Sequence, residues 1–318
     1  MSKRFAVAVA ASVLLSAGAM VSAHAASCKA IKPGTNISST INRAAGGTTF
    51  CIYPGTYKPG STLTPKSGDT IRGLGAVPDD VSITTTTLPI IFDLSNTTGV
   101  SLTDLAISGA VNECPGTNCG ATGEGVYNGA NVTASQLHVY SNHRVGLGGQ
   151  HGLTVSYSHI DHNGAVTTTT NLDYVSAGIK SVNPLTVTHS RIDHNNGNGV
   201  HCDRNCGAFT MKNNVVLYNT LTGIHYEIGQ GPATIAYNTV KWNNTLNMPY
   251  HAGIEVNDSQ NIDIFGNKLG GNGHHGIHVW EDSRSSTTGF HLLNVTIHDN
   301  VANGDEIGNC SFAGVTCY

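Results

Sequence analysis

Gly199-Val200-His201-Cys202-Asp203 is followed, one fixed interval later, by Gly223-Ile224-His225-Tyr226-Glu227. The same opening, a glycine and then a β-branched residue, recurs at Gly178-Ile179-Lys180, Gly253-Ile254-Glu255 and Gly276-Ile277-His278. A second phrase alternates with it, running Ser158–Asn163, Ser190–Asn195, Asn214–Asn219, Asn238–Asn243 and Asn267–Asn272. The step is about 24 residues where the loops are short and about 28–32 where they are long, a fixed period with variable loops that marks a solenoid. A unit this small cannot bury its own apolar face, so neighbouring units must stack. Short strands recurring with polar turns predict an all-β chain, and parallel crossovers are right-handed. The expected fold is a single-stranded right-handed parallel β-helix of eight or more coils.

The flanks set the limits of that domain. Lys3 and Arg4, the apolar stretch Phe5 to Met20 and the small-x-small site Ala23-His24-Ala25 read as a secretory signal. Residues 1–25 are therefore set aside, and 26–318 are assigned to the β-helix. No other stretch is long and apolar enough to span a bilayer. Ile41 to Ala45 reads as a short capping helix, and the tail from Gly304 to Tyr318 is irregular. The expected location is secreted, extracellular or periplasmic.

The eight cysteines fall in close couples: Cys28 with Cys51, Cys114 with Cys119, Cys202 with Cys206, and Cys310 with Cys317. An even count in an exported chain points to local disulfides. A zinc site is the rival reading, but the short couples sit on different coils and lack partner ligands at zinc spacing. Charged residues make up 11% of the chain and the net charge is −4. There is no basic stripe, which argues against a nucleic-acid partner.

Strand side chains alternate between faces. The residue after each glycine is Ile or Val and points inward, as do Ser181, Cys202, Tyr226, Val256 and Val279 two positions on. Two outward ladders remain: Lys180, His201, His225, Glu255, His278, and Val182, Asp203, Glu227, Asn257, Trp280. The long loops 164–177, 244–252 and 282–289 flank this face, as cleft walls do. The bland alternative is a solvated face of paired charges. His159, His162 and His194 belong to other faces and are read as solvated. The turn residues Asn214, Asn238 and Asn267 are read as structural, pairing with one another and with backbone.

Asp203 and Glu227 share a strand position one coil apart, so their carboxyls sit about 5 Å apart, the separation used by retaining glycosidases. Two carboxyls so close do not both ionise easily, and one should keep a proton. The same pair could hold calcium through oxygen ligands, with Asn257 nearby.

Pro54-Gly55-Thr56-Tyr57, Gly68-Asp69-Thr70-Ile71-Arg72-Gly73-Leu74-Gly75 and the [Ser/Asn]-x-[Ile/Val]-x-x-Asn repeat resemble the pectate-lyase-like (pectin-lyase-like) right-handed parallel β-helix superfamily. The resemblance covers nearly all of the mature chain and is specific for fold rather than reaction. The phrases around Asp203 and Glu227 resemble β-helical retaining glycoside hydrolases of the β-xylosidase kind. That resemblance implies Asp203 as nucleophile and Glu227 as acid/base. It departs from the pattern where His201-Cys202 stands in place of a Trp before the Asp, and the accessory β-rich domain is lacking.

The leading expectation is a retaining glycoside hydrolase with catalytic Asp203 and Glu227, acting as a monomer on a polysaccharide or oligosaccharide. Lys180, His201, His225, Glu255, Asn257, His278 and Trp280 would bind substrate, and no cofactor is required. The alternative is a polysaccharide lyase or uronate epimerase. Lys180, His201 or His225 would then take the proton α to the carboxylate, with Arg204 nearby and calcium offsetting the acids. A third reading is a non-catalytic glycan-binding solenoid using Trp280, Tyr174 and Tyr250 as platforms.

Overall fold

The computed structural model describes residues 28–111, 122–149, 151–165, 172–204, 206–308 and 310–318. The expected signal segment lies outside the described residues, as does the side chain of Tyr174. Every named strand pairing is parallel, as a stack of coils in register requires. One face is a nine-stranded sheet running from Ile90–Asp93 through Ala177–Ser181, Asn198–Cys202, Ile224–Glu227, Ala252–Asn257 and His275–Trp280 to Glu306–Ile307. Each coil then continues through two short strands, for example Leu185–Thr188 and Arg191–Asp193.

The core consists of stacked aliphatic side chains. Ile179, Val200, Ile224, Ile254 and Ile277 form one fully buried row. Val155, Val187, Met211, Ile235 and Ile264 form a second, and Ile160, Ile192, Val216, Val240 and Leu269 a third. The registers Leu185↔Phe209↔Ala233 and Ile192↔Val216↔Val240 keep like positions above one another. The strands are half buried, which is what β-branched residues suit.

A buried asparagine ladder turns the chain at one corner. Asn142, Asn163, Asn195, Asn219 and Asn243 each donate from Nδ2 to Oδ1 of the asparagine one coil on, and Asn272 Nδ2 ends the series on Asp305 Oδ2, all at 2.7–3.1 Å. The same Oδ1 accepts the backbone N–H of the preceding coil, as Asn219 Oδ1 does from Asn195 at 3.1 Å. These amides explain the repeated glycine. A Cβ on Gly199 would lie 2.7 Å from Asn219 Nδ2 and 2.5 Å from the Gly223 carbonyl oxygen, and Gly223 meets Asn243 and Gly253 alike. Both sequence phrases therefore come from one contact. A second ladder links Ser190, Asn214, Asn238, Asn267 and Asn300, which matches the structural role expected of these asparagines.

At the corner of the first ladder, the residue just before each of four ladder asparagines lies in the left-handed region. His162, His194, Tyr218 and Trp242 have φ between 51° and 55°. Non-glycine residues pay about 1–2 kcal/mol there. Here their rings stack in sequence at centroid separations of 5.2, 5.0 and 4.9 Å. Gly271 (φ 68°) takes the next corner, with the Trp242 ring lying against it.

His159, His162 and His194 are not merely solvated. His159 Nε2 is 2.8 Å from Asp193 Oδ1, and His162 and His194 hydrogen-bond Asp161 and Asp193 at 2.5 and 2.7 Å. His138 links Asp161 (2.9 Å) to Asp79 (2.7 Å), clasping the short helix Pro78–Asp80 to the coil stack. Stacking of coils brings Asp193 to His159 and Asp161 to His138, whereas His162 and His194 pair with the aspartate next to them in sequence.

The N-terminal cap is the helix Ile37–Asn42, slightly earlier than Ile41–Ala45. The Asn36 side chain accepts from Ser39 N–H at 2.9 Å, an N-cap that sets the start, while Ile37 and Ile41 cover the core. Cys28–Cys51 and Cys310–Cys317 are bonded at the two ends, and Cys202–Cys206 closes a short turn beside the nine-stranded sheet. The fourth expected disulfide, between Cys114 and Cys119, is not among the bonds of the described residues. Both Cys114 and Cys119 lie outside them, in the segment 112–121.

The ladder and the clasp are each open to test by substitution. Asn219→Ala orphans buried groups on two coils, at about 1–3 kcal/mol each. Its thermal midpoint should fall well below that of an exposed Asn96→Ala control. For the clasp, burial lowers the His138 pKa, but Asp161 and Asp79 outweigh it and hold it raised. Burial raises Asp161, but its histidine partners outweigh that and hold it lowered. The His138 contribution is complete below about pH 6.5 and fades as pH rises through its folded value; the Asp161 contribution is complete above about pH 4 and fades on acidification. In thermal melts His138→Gln should therefore destabilise more near pH ~5.5 than at pH ~9.

Candidate functional site

The outward face of the nine-stranded sheet carries the candidate residues in register. Gly148, Lys180, His201, His225, Glu255 and His278 are successive partners. Glu227, Asn257 and Trp280 form the neighbouring row, with Asp203 just beyond the Asn198–Cys202 strand. The face is not open to solvent. His201, His225, Glu255 and Asn257 are each 1–2% exposed.

Buried ionisable groups must be paired, and these form one network. Lys180 Nζ lies 3.2 Å from Asp203 Oδ2 and 3.1 Å from His201 Nδ1. His201 Nε2 is 2.9 Å from Glu227 Oε2, so the ring bridges the lysine and the glutamate. Arg284 Nη1 binds Glu227 Oε1, and its Nε and Nη2 reach Asp282 Oδ2 at 2.7 Å. His225 stacks on His201 at 4.4 Å and lies 3.0 Å from Asn257 Oδ1 and 3.6 Å from Glu255 Oε1. Glu255 also meets Thr222 Oγ1, His251 Nδ1 (3.1 Å) and the Trp280 indole N–H (3.1 Å).

The electrostatics overturn one expectation. An oxygen of Asp203, one of Glu227 and a His201 nitrogen lie within 4.8 Å of one another, so the close approach is real. Neither carboxyl keeps a proton, however. Burial pushes Asp203 up, but His201 and Lys180 outweigh it and hold its pKa lowered. Burial likewise raises Glu227, and the His201 hydrogen bond with the His225 and Arg284 charges holds it far below the usual range. The sequence argument counted two acids and missed the cations interleaved between them. The compensating charge sits on His225: burial lowers it, but Glu255, Asp173 and Glu227 push it up to about 10.

Trp280 lies two coils from Glu227 on the same row, as the spacing required. One of its faces is taken by Tyr250, stacked at 5.5 Å, and Tyr250 is the exposed ring of the pair. His278 stacks on His275 at 4.5 Å and meets the Tyr250 carbonyl at 3.0 Å.

Sequence reasoning missed several members. Asn198, Thr222 and Glu124 form a third outward row, in which each residue immediately precedes the repeated glycine. Its register is Glu124↔Val145↔Ala177↔Asn198. That position was the available signal. Asp173, His251, Asp282 and Arg284 come from long loops, and no period marks them. Arg204, proposed as a nearby cation, enters none of these contacts.

Fold and site define a parallel β-helix with a buried ionic network on one sheet. Residues 91–240 match the family described as right handed beta helix region. Solved structures agree in fold. An alginate lyase from a Paenibacillus strain superimposes with a TM-score of 0.61 at 15% identity, over 90% of this chain and 99% of that one. The A-module of a mannuronan C-5 epimerase from Azotobacter vinelandii gives 0.57 at 17% identity, over 89% and 84%. A pectate lyase gives 0.50 at 14% identity, over 92% and 78%. No curated protein matches the sequence. In fold, the chain is a right-handed parallel β-helix like these proteins.

The raised His225 makes a pH prediction. A group raised on folding stabilises fully below its unfolded value, about 6.5, and loses that contribution as pH rises through its folded value. Wild-type melting temperature should therefore drop on approaching pH 10, and His225→Gln should flatten that drop. A His225 imidazole that NMR shows neutral at pH ~8 contradicts the network.

Proposed function

We propose that this protein is an exported polysaccharide lyase that acts on a uronate-containing glycan. The observation that carries the reading is the Lys180–His201–Glu227 line, in which nitrogen groups hold both close carboxyls ionised. A retaining glycosidase needs one of those carboxyls as an acid. Elimination instead needs a base for the proton α to a carboxylate, and positive charge to stabilise the resulting anion. The fold neighbours named as an alginate lyase and a pectate lyase lend the same class. Three disulfides support export from a reducing compartment.

Lys180 is the base in this reading. Its side chain is 15% exposed, against 2% for His201 and His225, so it can reach a sugar ring. In this reading Lys180 Nζ takes the C5 proton beside His201 Nδ1, and Glu227 holds the His201 ring from behind. Arg284, half exposed above Glu227, and protonated His225 supply the field that offsets the uronate carboxylate. Tyr250 provides a ring face for a neighbouring sugar.

The donor set does not fit calcium. Calcium takes about six to eight oxygens, whereas both Glu227 oxygens and Asp203 Oδ2 are already taken by side-chain nitrogens of His201, Arg284 and Lys180. No step is routed through a metal, and a chelator should leave the rate unchanged.

The direct test is a panel of neutral and uronic-acid polysaccharides. Chain ends carrying the ultraviolet absorbance of an unsaturated uronate are expected, and Lys180→Arg should abolish them, because a guanidinium does not deprotonate. Reducing ends without that absorbance, lost in Asp203→Asn and retained in Lys180→Arg, mean hydrolysis and sink the proposal.

A further inference from the structure

We infer that Glu124, seated in the notch left by Gly148, is the proton donor to the departing O4 oxygen, facing the Lys180 base across the uronate ring. The inference rests on the elimination reading above and adds the group that completes it.

The geometry comes from register. Gly148 is the direct strand partner of Lys180, and it occupies the same outward row with no side chain of its own. A Cβ on Gly148 would lie 2.5 Å from Glu124 Oε2, so the Glu124 carboxyl fills the space where that side chain would stand. It therefore sits about one strand spacing, ~4.8 Å, from the Lys180 row. Glu124 Oε2 is buried and has no hydrogen-bond partner among the described residues. A carboxylic O–H with no internal acceptor is held ready for one brought by a ligand, and a glycosidic oxygen is such an acceptor.

The charged and titratable groups around it are Arg144, Lys180, Asp93 and Tyr127. Burial pushes the Glu124 carboxyl up, Arg144 and Lys180 lower it less, and Asp93 raises it further, leaving it at about 8. Glu124 is thus an acid at neutral pH, unlike Asp203 and Glu227. The chemistry balances: the C5–H bond breaks and its proton goes to Lys180 Nζ. The electron pair forms C4=C5, the C4–O4 bond breaks, and O4 takes the Glu124 proton. Glu124 reaches the Lys180 row from the Gly148 side, whereas Asp203 and Glu227 belong to the coils on the other side of the base.

Two variants test this on a uronate polymer in D2O, reading unsaturated product and C5 deuterium exchange together. Glu124→Gln should lose product formation by about 100-fold or more yet keep C5 exchange, since Lys180 still forms and reprotonates the carbanion. Gly148→Ala should do the same by pushing the carboxyl out of its notch without removing it. Thermal melts confirm that both variants are folded. Wild type should lose rate above about pH 8, and Glu124→Gln should lack that limb. Lys180→Ala should lose exchange and product alike. Product formed by Glu124→Gln at the wild-type rate overturns the inference and leaves the elimination reading standing. So does loss of C5 exchange together with product in a folded Glu124→Gln. If wild type yields neither unsaturated product nor C5 exchange on any uronate glycan, the elimination reading fails and the Glu124 assignment falls with it.

Discussion

The amide of one asparagine, resting on the backbone of a glycine in the next strand, is the contact on which this molecule is built. Each amide in the series from Asn142 to Asn272 satisfies three groups at once: its neighbour's amide, a backbone N–H of one coil and a backbone carbonyl of another. Buried backbone at a corner has no other partner. The close packing excludes any Cβ at Gly178, Gly199, Gly223 or Gly253. Because the amides pair only in register, the coils cannot slip, and every side chain on the next strand inherits that register. The order of the buried ionic rows therefore depends on a polar ladder at the corner beside the sheet.

Register also decides the electrostatics. Parallel stacking places like positions a strand spacing apart, so a row of acids alone would repel itself. The chain instead alternates Lys180, His201, His225 and Glu255 along one row, with Asp203 and Glu227 beside them. The result is a buried network in which carboxylates stay ionised and His225 stays protonated. Glu124 is the exception: its neighbours do not offset its burial, and it keeps its proton. One sheet thus holds carboxyls in two protonation states a few strands apart, which is the condition for separating base chemistry from acid chemistry.

The outer corners show a different solution to strain. His162, His194, Tyr218 and Trp242 hold left-handed backbone that glycine would adopt more easily, yet their rings stack from coil to coil. Ring stacking and the ion pairs of His159 and His138 tie successive turns together on the outside of the Ile160–Val240 core row. This is why a face that looks solvated in sequence is ordered in the fold.

Much was legible in the residues. The glycine–Ile/Val phrase and the Asn phrase fixed the coil period, the inward Ile and Val row, the ladder from Lys180 to His278 and the vertical neighbours Glu227, Asn257 and Trp280. Those are consequences of a period, and a period is a one-dimensional property. The protonation of Asp203 and Glu227 was not legible, because it depends on which nitrogens lie between coils and on Arg284 arriving from a loop with no repeat. Nor was the raised pKa of Glu124, whose carboxyl sits where a missing side chain on another strand leaves room. By itself the sequence determined what stacks on what. The tertiary structure decided which groups are charged, because charge state depends on burial and on neighbours that are distant along the chain.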